Sequence, residues 1–402
     1  MLLSNSFLFN FLTKESPKKK ADFNPDVLEH CYQQRVLDPI ILLTGFSHKE
    51  RSRVSIQKKN NVKNECLKQF LLKLNETDVD YVCLKGLAMK KYYPKMSNRQ
   101  SNDYDFLVKD INDFFKCYSI LTKQGYTFYH YPVFTRFNNK LVGTVKFTKV
   151  THDIETLLEI NIGGFTISQL TWITDDDLWE QKQLLKLEEY SYYVPSDNNN
   201  LLIFLAETSG RLPSILRDHV DFYYMYQYIG PKKIEKLLNN MNDKHLKNLL
   251  SEFIKLDKGM GKEYKNINKK NMEWKYNIPK FIYRSPTTLL LYYFTRIGNY
   301  YVDNDKKLKL MKKMDDFVSI KWRFEKGIPI TFIPISESVI HSKINWLNLK
   351  GHKLAVTPIG TFLLSGFCIV YDDEFDQITK LVEEGDFANV KYSDNSNKNT
   401  AS

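Results

Sequence analysis

The hexapeptide "DYDFLV" at residues 103–108 sets the narrowest limits on what this chain can become. Side chains at i and i+2 of a strand point to one side, so Asp103 and Asp105 stand together, while Tyr104, Phe106 and Val108 face the other way. Two carboxylates side by side repel unless a cation or a proton relieves them. The segment therefore asks for a strand with one face packed on a core and an acidic face that meets something positive.

A divalent ion answers that demand, because Mg²⁺ takes hard oxygen ligands in near-octahedral geometry. A third oxygen donor is available downstream in "TLLEINIGG". There Glu159 shares a face with Leu157 and Asn161, while Leu158, Ile160 and Ile162 occupy the other. Upstream, "VCLKGLAMKKYY" reads as a strand ending at Gly86 and turning at once into a helix. The first amides of such a helix bind phosphate, and glycine lets the backbone approach it. Lys85 and Arg99 are cations close enough in sequence to reach the same group. Acids that hold metal beside a phosphate cradle suit phosphoryl or nucleotidyl transfer, where positioning and charge neutralisation dominate. A D-x-D pair also arises by chance, and acids at strand ends commonly just meet solvent, so spacing alone leaves both readings open.

The rest of the chain says what surrounds these residues. Its 402 residues suffice for two or three domains with a buried core, and 43% hydrophobic and 26% charged residues are ordinary globular values. The longest apolar runs, "TTLLLYYF" and "IGTFLLSGFCIVY", are too short to cross a bilayer. The start, "MLLSNSFLFNFLTKE", has no basic residue before its apolar part and reads as a packing segment. Cys31, Cys66, Cys83, Cys117 and Cys368 show no ligand or C-x-x-C spacing, which favours free thiols in a reducing cytoplasm. The net charge of +11 favours an anionic ligand. Much of the lysine sits in short runs ("PKKK", "QKKN", "INKKN") that read as solvated linkers, which argues against a nucleic-acid groove.

Periodicity gives the following order. Residues 1–58 form a leader with one or two helices, the clearest over "NPDVLEHCYQQRVLDPIILL", with Asn24 as cap and Pro25 at its first position. "NNVKNECLKQFLLKLNET" and "INDFFKCYSILTKQGY" are helices, the second stopped by Gly125. "TFYHYPVFTRFNN", "KLVGTVKFTKV" and "TLLEINIGGF" are strands. This is a small α/β sheet of mixed direction, and residues 59–170 are expected to be the catalytic core. Residues 171–315 read as helical: "DDDLWEQKQLL", "NNNLLIFLAETSGRL", "HVDFYYMYQYI", "PKKIEKLLNNM", "KHLKNLLSEFIKL" and "TTLLLYYFTRIGNYY", with an exposed loop at 257–275. Residues 316–390 form a small β-rich module with strands "DFVSIKWRFEKG", "ITFIPIS", "HKLAVTPI" and "TFLLSGFCIVY" before a final helix, and 391–402 are a disordered tail. Arg217 and Asp221, four apart, make a plain intrahelical pair.

The stretch "YVCLKGLAMKKYYP…NRQSNDYDFLV" resembles the uncharacterised bacterial nucleotidyltransferase-like family of the polymerase-β superfamily. The resemblance continues in order through "SILTKQGY", "LLEINIGG", "ITDDDLWE", "VPSDNNNLLIFLAE" and "RDHVDFYYMY", covering roughly residues 60 to 230. It implies a polymerase-β-like core with mixed sheet, a helical middle and the β-rich carboxy-terminal module. Asp103, Asp105 and Glu159 are then the catalytic metal ligands, with Mg²⁺ or Mn²⁺ as cofactor. Lys85, Gly86 and Arg99 lie around the triphosphate of an NTP, with ATP the expected nucleotide. The acceptor is left open among a small molecule, a peptide and a protein. Where family members often carry a histidine after the third acid this chain has Asn161, and Glu207 or a neighbour replaces a second histidine. Asn161 and Asp221 are accordingly the expected acceptor-site residues. The alternative is a catalytically inactive nucleotide- or partner-binding regulator on the same fold.

Overall fold

The computed structural model describes residues 5–13, 25–44, 50–94, 99, 103–137, 140–163, 175–187, 189–210, 212–259, 265–268, 320–325, 330–336, 345–349, 352–365, 376, 378–380 and 382. Asn24, Cys368, the helix expected at "TTLLLYYFTRIGNYY" and the tail 391–402 lie outside them. The chain divides into two compact units. The first comprises Met1–Lys109, Ile120–Thr127 and Phe147–Lys280; the second comprises Asp110–Ser119, Phe128–Lys146 and Phe281–Ser402.

The first unit opens with α1 (Asn5–Thr13), α2 (Pro25–Gln33), α3 (Leu37–Thr44) and α4 (Glu50–Asn75). Leu8, Phe9 and Leu12 of α1 are buried with Val27, Cys31 and Ile40, so the apolar start packs as its composition suggests. The helix expected over 24–43 is two helices, because Arg35 adopts a left-handed backbone (φ 55) between α2 and α3. In α4, Leu67, Phe70, Leu71 and Leu74 are at most 1% exposed. Each such side chain contributes roughly 1.5–3 kcal/mol by leaving water.

The strands β1 (Tyr81–Leu84), β2 (Asp103–Val108) and β5 (Ile154–Ile162) stand in the order β1-β2-β5. β1 runs antiparallel to β2, and β2 runs parallel to β5. The sheet is thus mixed, as expected of an α/β core. Between β1 and β2 come α5 (Lys85–Met89) and a single 3₁₀ turn, Lys90–Tyr92. Strand β1 ends at Leu84 rather than Gly86, and the left-handed residue is Lys85 (φ 47). Gly86 is buried in the first turn of α5.

Helix α6 (Ile111–Lys123) contributes residues to both units and is followed by Gly125, whose φ of 81 is a conformation glycine adopts without strain. The strands β3 (Thr127–Phe137) and β4 (Lys140–Thr151) follow it. After β5 the first unit continues with α7 (Asp175–Glu180), a hairpin of β6 (Gln183–Lys186) and β7 (Ser191–Val194), α8 (Asp197–Gly210), α9 (Leu216–Ile229), α10 (Pro231–Asn240) and α11 (Lys244–Gly259). The hairpin corrects the reading of "DDDLWEQKQLL" as one helix. Cross-strand bonding from Gln183↔Val194 to Lys186↔Ser191 wins over a local pattern that suits either period. Helices α8, α9 and α11 share a core through Leu205, Phe222, Met225, Leu249 and Phe253. Ile267 joins this core, exchanging backbone and side-chain bonds with Ser214, so the segment expected as an exposed loop is anchored there.

In the second unit β8 (Ile330–Ser336), β9 (Asn345–Leu349), β10 (His352–Thr357) and β11 (Gly360–Ser365) lie with β3 in the order β3-β8-β11-β10-β9, each pair antiparallel. The first of the expected carboxy-terminal strands is corrected: Ile320–Glu325 is helical. Its alternation of apolar residues also places Ile320 and Phe324 one helical turn apart, and both are buried with Arg323. Within the same unit Gly143 lies under the Phe134 ring. A Cβ there would sit 2.2 Å from the ring and 2.8 Å from the Val133 carbonyl oxygen, which requires glycine. Among the described residues no helix is long and apolar enough to cross a membrane.

Candidate functional site

Alternation along β2 does what the sequence requires. Tyr104 and Phe106 turn toward the core, where Phe106 meets Phe70 edge-on at 5.2 Å and the Tyr104 hydroxyl donates to Asn64 at 3.2 Å. Asp103 and Asp105 take the other face. The parallel register sets Asp105 opposite Glu159 on β5. One carboxylate oxygen from each of Asp103, Asp105 and Glu159 falls within 4.8 Å of the others. A hard divalent cation takes such oxygen donors, and the set fits one.

The cluster is not left to repel itself. The Lys85 ammonium lies 2.7 Å from Asp105, 3.5 Å from Glu159 and 3.6 Å from Glu207. Burial works against its charge, but Asp105, Glu207 and Glu159 outweigh that and hold its pKa above the usual lysine range. For Asp105, itself 3% exposed, burial pushes the carboxyl up. Lys85 opposes the rise, while Glu159 and Asp103 add to it, and the carboxyl stays above the usual carboxylate range. A group so poised gains most from a further cation.

Asn161, two residues beyond Glu159 on β5, is buried. Its amide donates to the Phe106 carbonyl at 3.2 Å and to Glu159 at 3.4 Å. It therefore orients the third acid and ties it to β2.

Arg99 and Asp221 meet each other. Arg99 donates from Nε and Nη2 to the two oxygens of Asp221, each at 2.7 Å, and the Tyr93 hydroxyl donates to the same carboxylate. Burial alone would raise the Asp221 pKa, but Arg99 holds it below the usual carboxylate range, with a smaller contribution from the Arg217 charge. The intrahelical pairing expected of Arg217 is thus a secondary influence on Asp221. Lys85, Asp103, Asp105 and Glu159 come together, and Asn161 joins them through Glu159. Sequence reasoning missed the Arg99–Asp221 partnership and the reach of Glu207 to Lys85, since both join residues more than a hundred positions apart.

A family model described as an uncharacterised nucleotidyltransferase matches residues 47–258, just over half the chain. Among solved structures, the chain is similar to an antigenic nucleotidyltransferase-like protein from Paracoccidioides brasiliensis. That similarity is 15% identity and a TM-score of 0.35, over 50% of this chain and 93% of that one. It is also similar to JHP933 from Helicobacter pylori, at 14% identity and a TM-score of 0.28 over 51% and 92% of the two chains. No curated protein matches significantly. The structural likenesses are too slight to carry an argument, and the assignment rests on the family match: the chain belongs to the uncharacterised nucleotidyltransferase family.

Proposed function

We propose that the chain is a metal-dependent nucleotidyltransferase that moves a nucleoside monophosphate from an NTP, ATP first among them, to a hydroxyl of a small-molecule, peptide or protein acceptor. The observation that carries this reading is the convergence of Asp103, Asp105 and Glu159 in a member of this family. These three residues would hold Mg²⁺ or Mn²⁺. When bound, the cation supplies neutralisation of triphosphate charge and acidification of the attacking hydroxyl.

The protein's own groups do the rest. Glu159, fixed by Asn161, takes the acceptor proton. The acceptor oxygen forms a bond to the α-phosphorus, the bond to the bridging oxygen breaks, and pyrophosphate leaves. Lys85 offers its ammonium to the leaving pyrophosphate, with Gly86 allowing close backbone approach. Asn161 faces the acceptor side of Glu159. Arg99 is bonded through both Nε and Nη2 to Asp221 on α9. We place the catalytic core in residues 59–170, served by the helical residues 171–315, and the protein in the cytoplasm, in keeping with Cys31, Cys66, Cys83 and Cys117, which are free and buried among the described residues.

A second reading, a nucleotide- or partner-binding protein without transfer, is favoured by the Lys85 ammonium already 2.7 Å from Asp105. The full chain, Mg²⁺ or Mn²⁺, each of four α-labelled NTPs and a cell extract as acceptor source separate the two. Transfer predicts pyrophosphate release and label incorporation with a preferred nucleotide, and at least a thousandfold loss in Asp103→Ala with the circular dichroism unchanged. Absence of transfer with metal-dependent nucleotide binding intact selects the second reading.

A further inference from the structure

We propose that Lys85 is the built-in counter-ion of the acid cluster, that it yields its place on Asp105 when a divalent cation enters, and that Glu207 is the positioning residue that receives it. The proposal rests on the metal-site reading above and says how that site is regulated by its own lysine.

Three observations carry it. First, the ammonium is shared by carboxylates on three elements, Asp105 on β2, Glu159 on β5 and Glu207 on α8, at 2.7, 3.5 and 3.6 Å. Asp105 and Glu159 belong to the oxygen cluster with Asp103, and Glu207 does not. The lysine thus bridges the ligand set and one acid outside it. Second, the backbone is bent for this purpose. Lys85 sits at φ 47, a left-handed conformation that strains a residue with a Cβ. Glycine would relieve that strain, and the neighbouring position is Gly86. A strained lysine beside an unstrained glycine indicates that the side chain is what the site needs.

Third, the two ends of the bridge differ in freedom. The Asp105 side chain is 4% exposed and locked in the sheet, whereas those of Lys85 and Glu207 are 26% and 22% exposed. A divalent ion and an ammonium cannot share one carboxylate oxygen without strong repulsion. The group able to move is Lys85, and Glu207 is an acid it already touches. Held there, the ammonium keeps a partner, stays partly exposed, and remains available to an anionic substrate group.

The test is Mn²⁺ binding to the full chain without nucleotide, followed by calorimetry and by the electron paramagnetic resonance of free Mn²⁺. The variants are Lys85→Met, Glu207→Gln and the double variant, with Lys85→Arg as the charge-retaining control. Removal of the competing ammonium is expected to tighten Mn²⁺ binding at least tenfold in Lys85→Met and to leave Lys85→Arg near wild type. Glu207→Gln is expected to weaken binding several-fold, because the ammonium then stays on Asp105. That effect should shrink below twofold once Lys85 is absent. Unchanged or weaker binding in Lys85→Met overturns the proposal, and so does an equal Glu207→Gln effect in both backgrounds. Should Lys85→Met not fold without Mn²⁺, Glu207→Gln decides alone: weaker binding supports the exchange, and unchanged binding overturns it. Asp103→Asn distinguishes failures. Binding indifferent to Asp103→Asn defeats the metal site itself, whereas binding lost there but unaltered by Lys85→Met defeats only the exchange.

Discussion

Both oxygens of the Asp221 carboxylate are bonded by one arginine 122 positions away, and the pair is buried. Buried ion pairs add little over well-packed apolar residues, yet breaking one strands a charge and costs about 3–5 kcal/mol. Arg99→Met and Asp221→Asn are therefore each expected to lower the urea-unfolding free energy by several kcal/mol. An apolar double replacement, Arg99→Met with Asp221→Leu, should recover most of it. Single losses near zero would show that the pair is not the clamp described here. Sequence could not reveal this partnership. Asp221 has Arg217 one helical turn away, a sufficient local explanation that conceals the distant partner. Asp103 and Asp105 were legible for the opposite reason: strand alternation puts i and i+2 side by side whatever the rest of the chain does. Lys85 was legible as a cation near the site, but its contact with the acids depends on a left-handed backbone at a residue that rarely adopts one.

Elements with one strong period are legible in the sequence and ambiguous ones are not. Helices α6, α10 and α11 carry clear apolar stripes, and acids alternate with apolar residues at the start of β2 and along β5. The β6–β7 hairpin and the helix Ile320–Glu325 are not legible in the sequence because short runs satisfy both periods, and pairing partners decide. Helix α9 also carries a group whose chemistry can be followed. His219 is 3% exposed, its Nε2 lies 2.9 Å from Ser214 Oγ, and burial pushes its pKa down to about 3. A histidine depressed in the folded state binds its proton more readily unfolded, so stability is full above the unfolded pKa near 6.5 and falls as pH drops toward 3. Between pH 7 and pH 5 this group should remove about 2 kcal/mol. The stability difference between wild type and His219→Gln is expected to change by that amount over this window. Parallel pH curves for the two proteins would contradict it.

At the scale of the molecule, a chain of net charge +11 carries a concentrated patch of carboxylates on one sheet. The overall charge favours the approach of an anionic nucleotide, and the local acids favour a cation, the two components nucleotidyl transfer brings together. The acids, Lys85, Glu207 and the Arg99–Asp221 pair all belong to the first unit. The family match ends at residue 258, before the strands β8–β11 of the second unit begin. That is why the half carrying the acid cluster is readable from motifs in order, and why the β-rich half offers strands without such motifs. The proposed activity depends on the carboxylates of Asp103, Asp105 and Glu159 forming a cation site. Anomalous diffraction at the manganese edge from crystals soaked in Mn²⁺ and a non-hydrolysable ATP analogue tests it most directly. A manganese peak within coordination distance of all three carboxylates, lost in Asp103→Ala crystals, is the predicted result. Manganese bound elsewhere, with Lys85 still on Asp105, would contradict it.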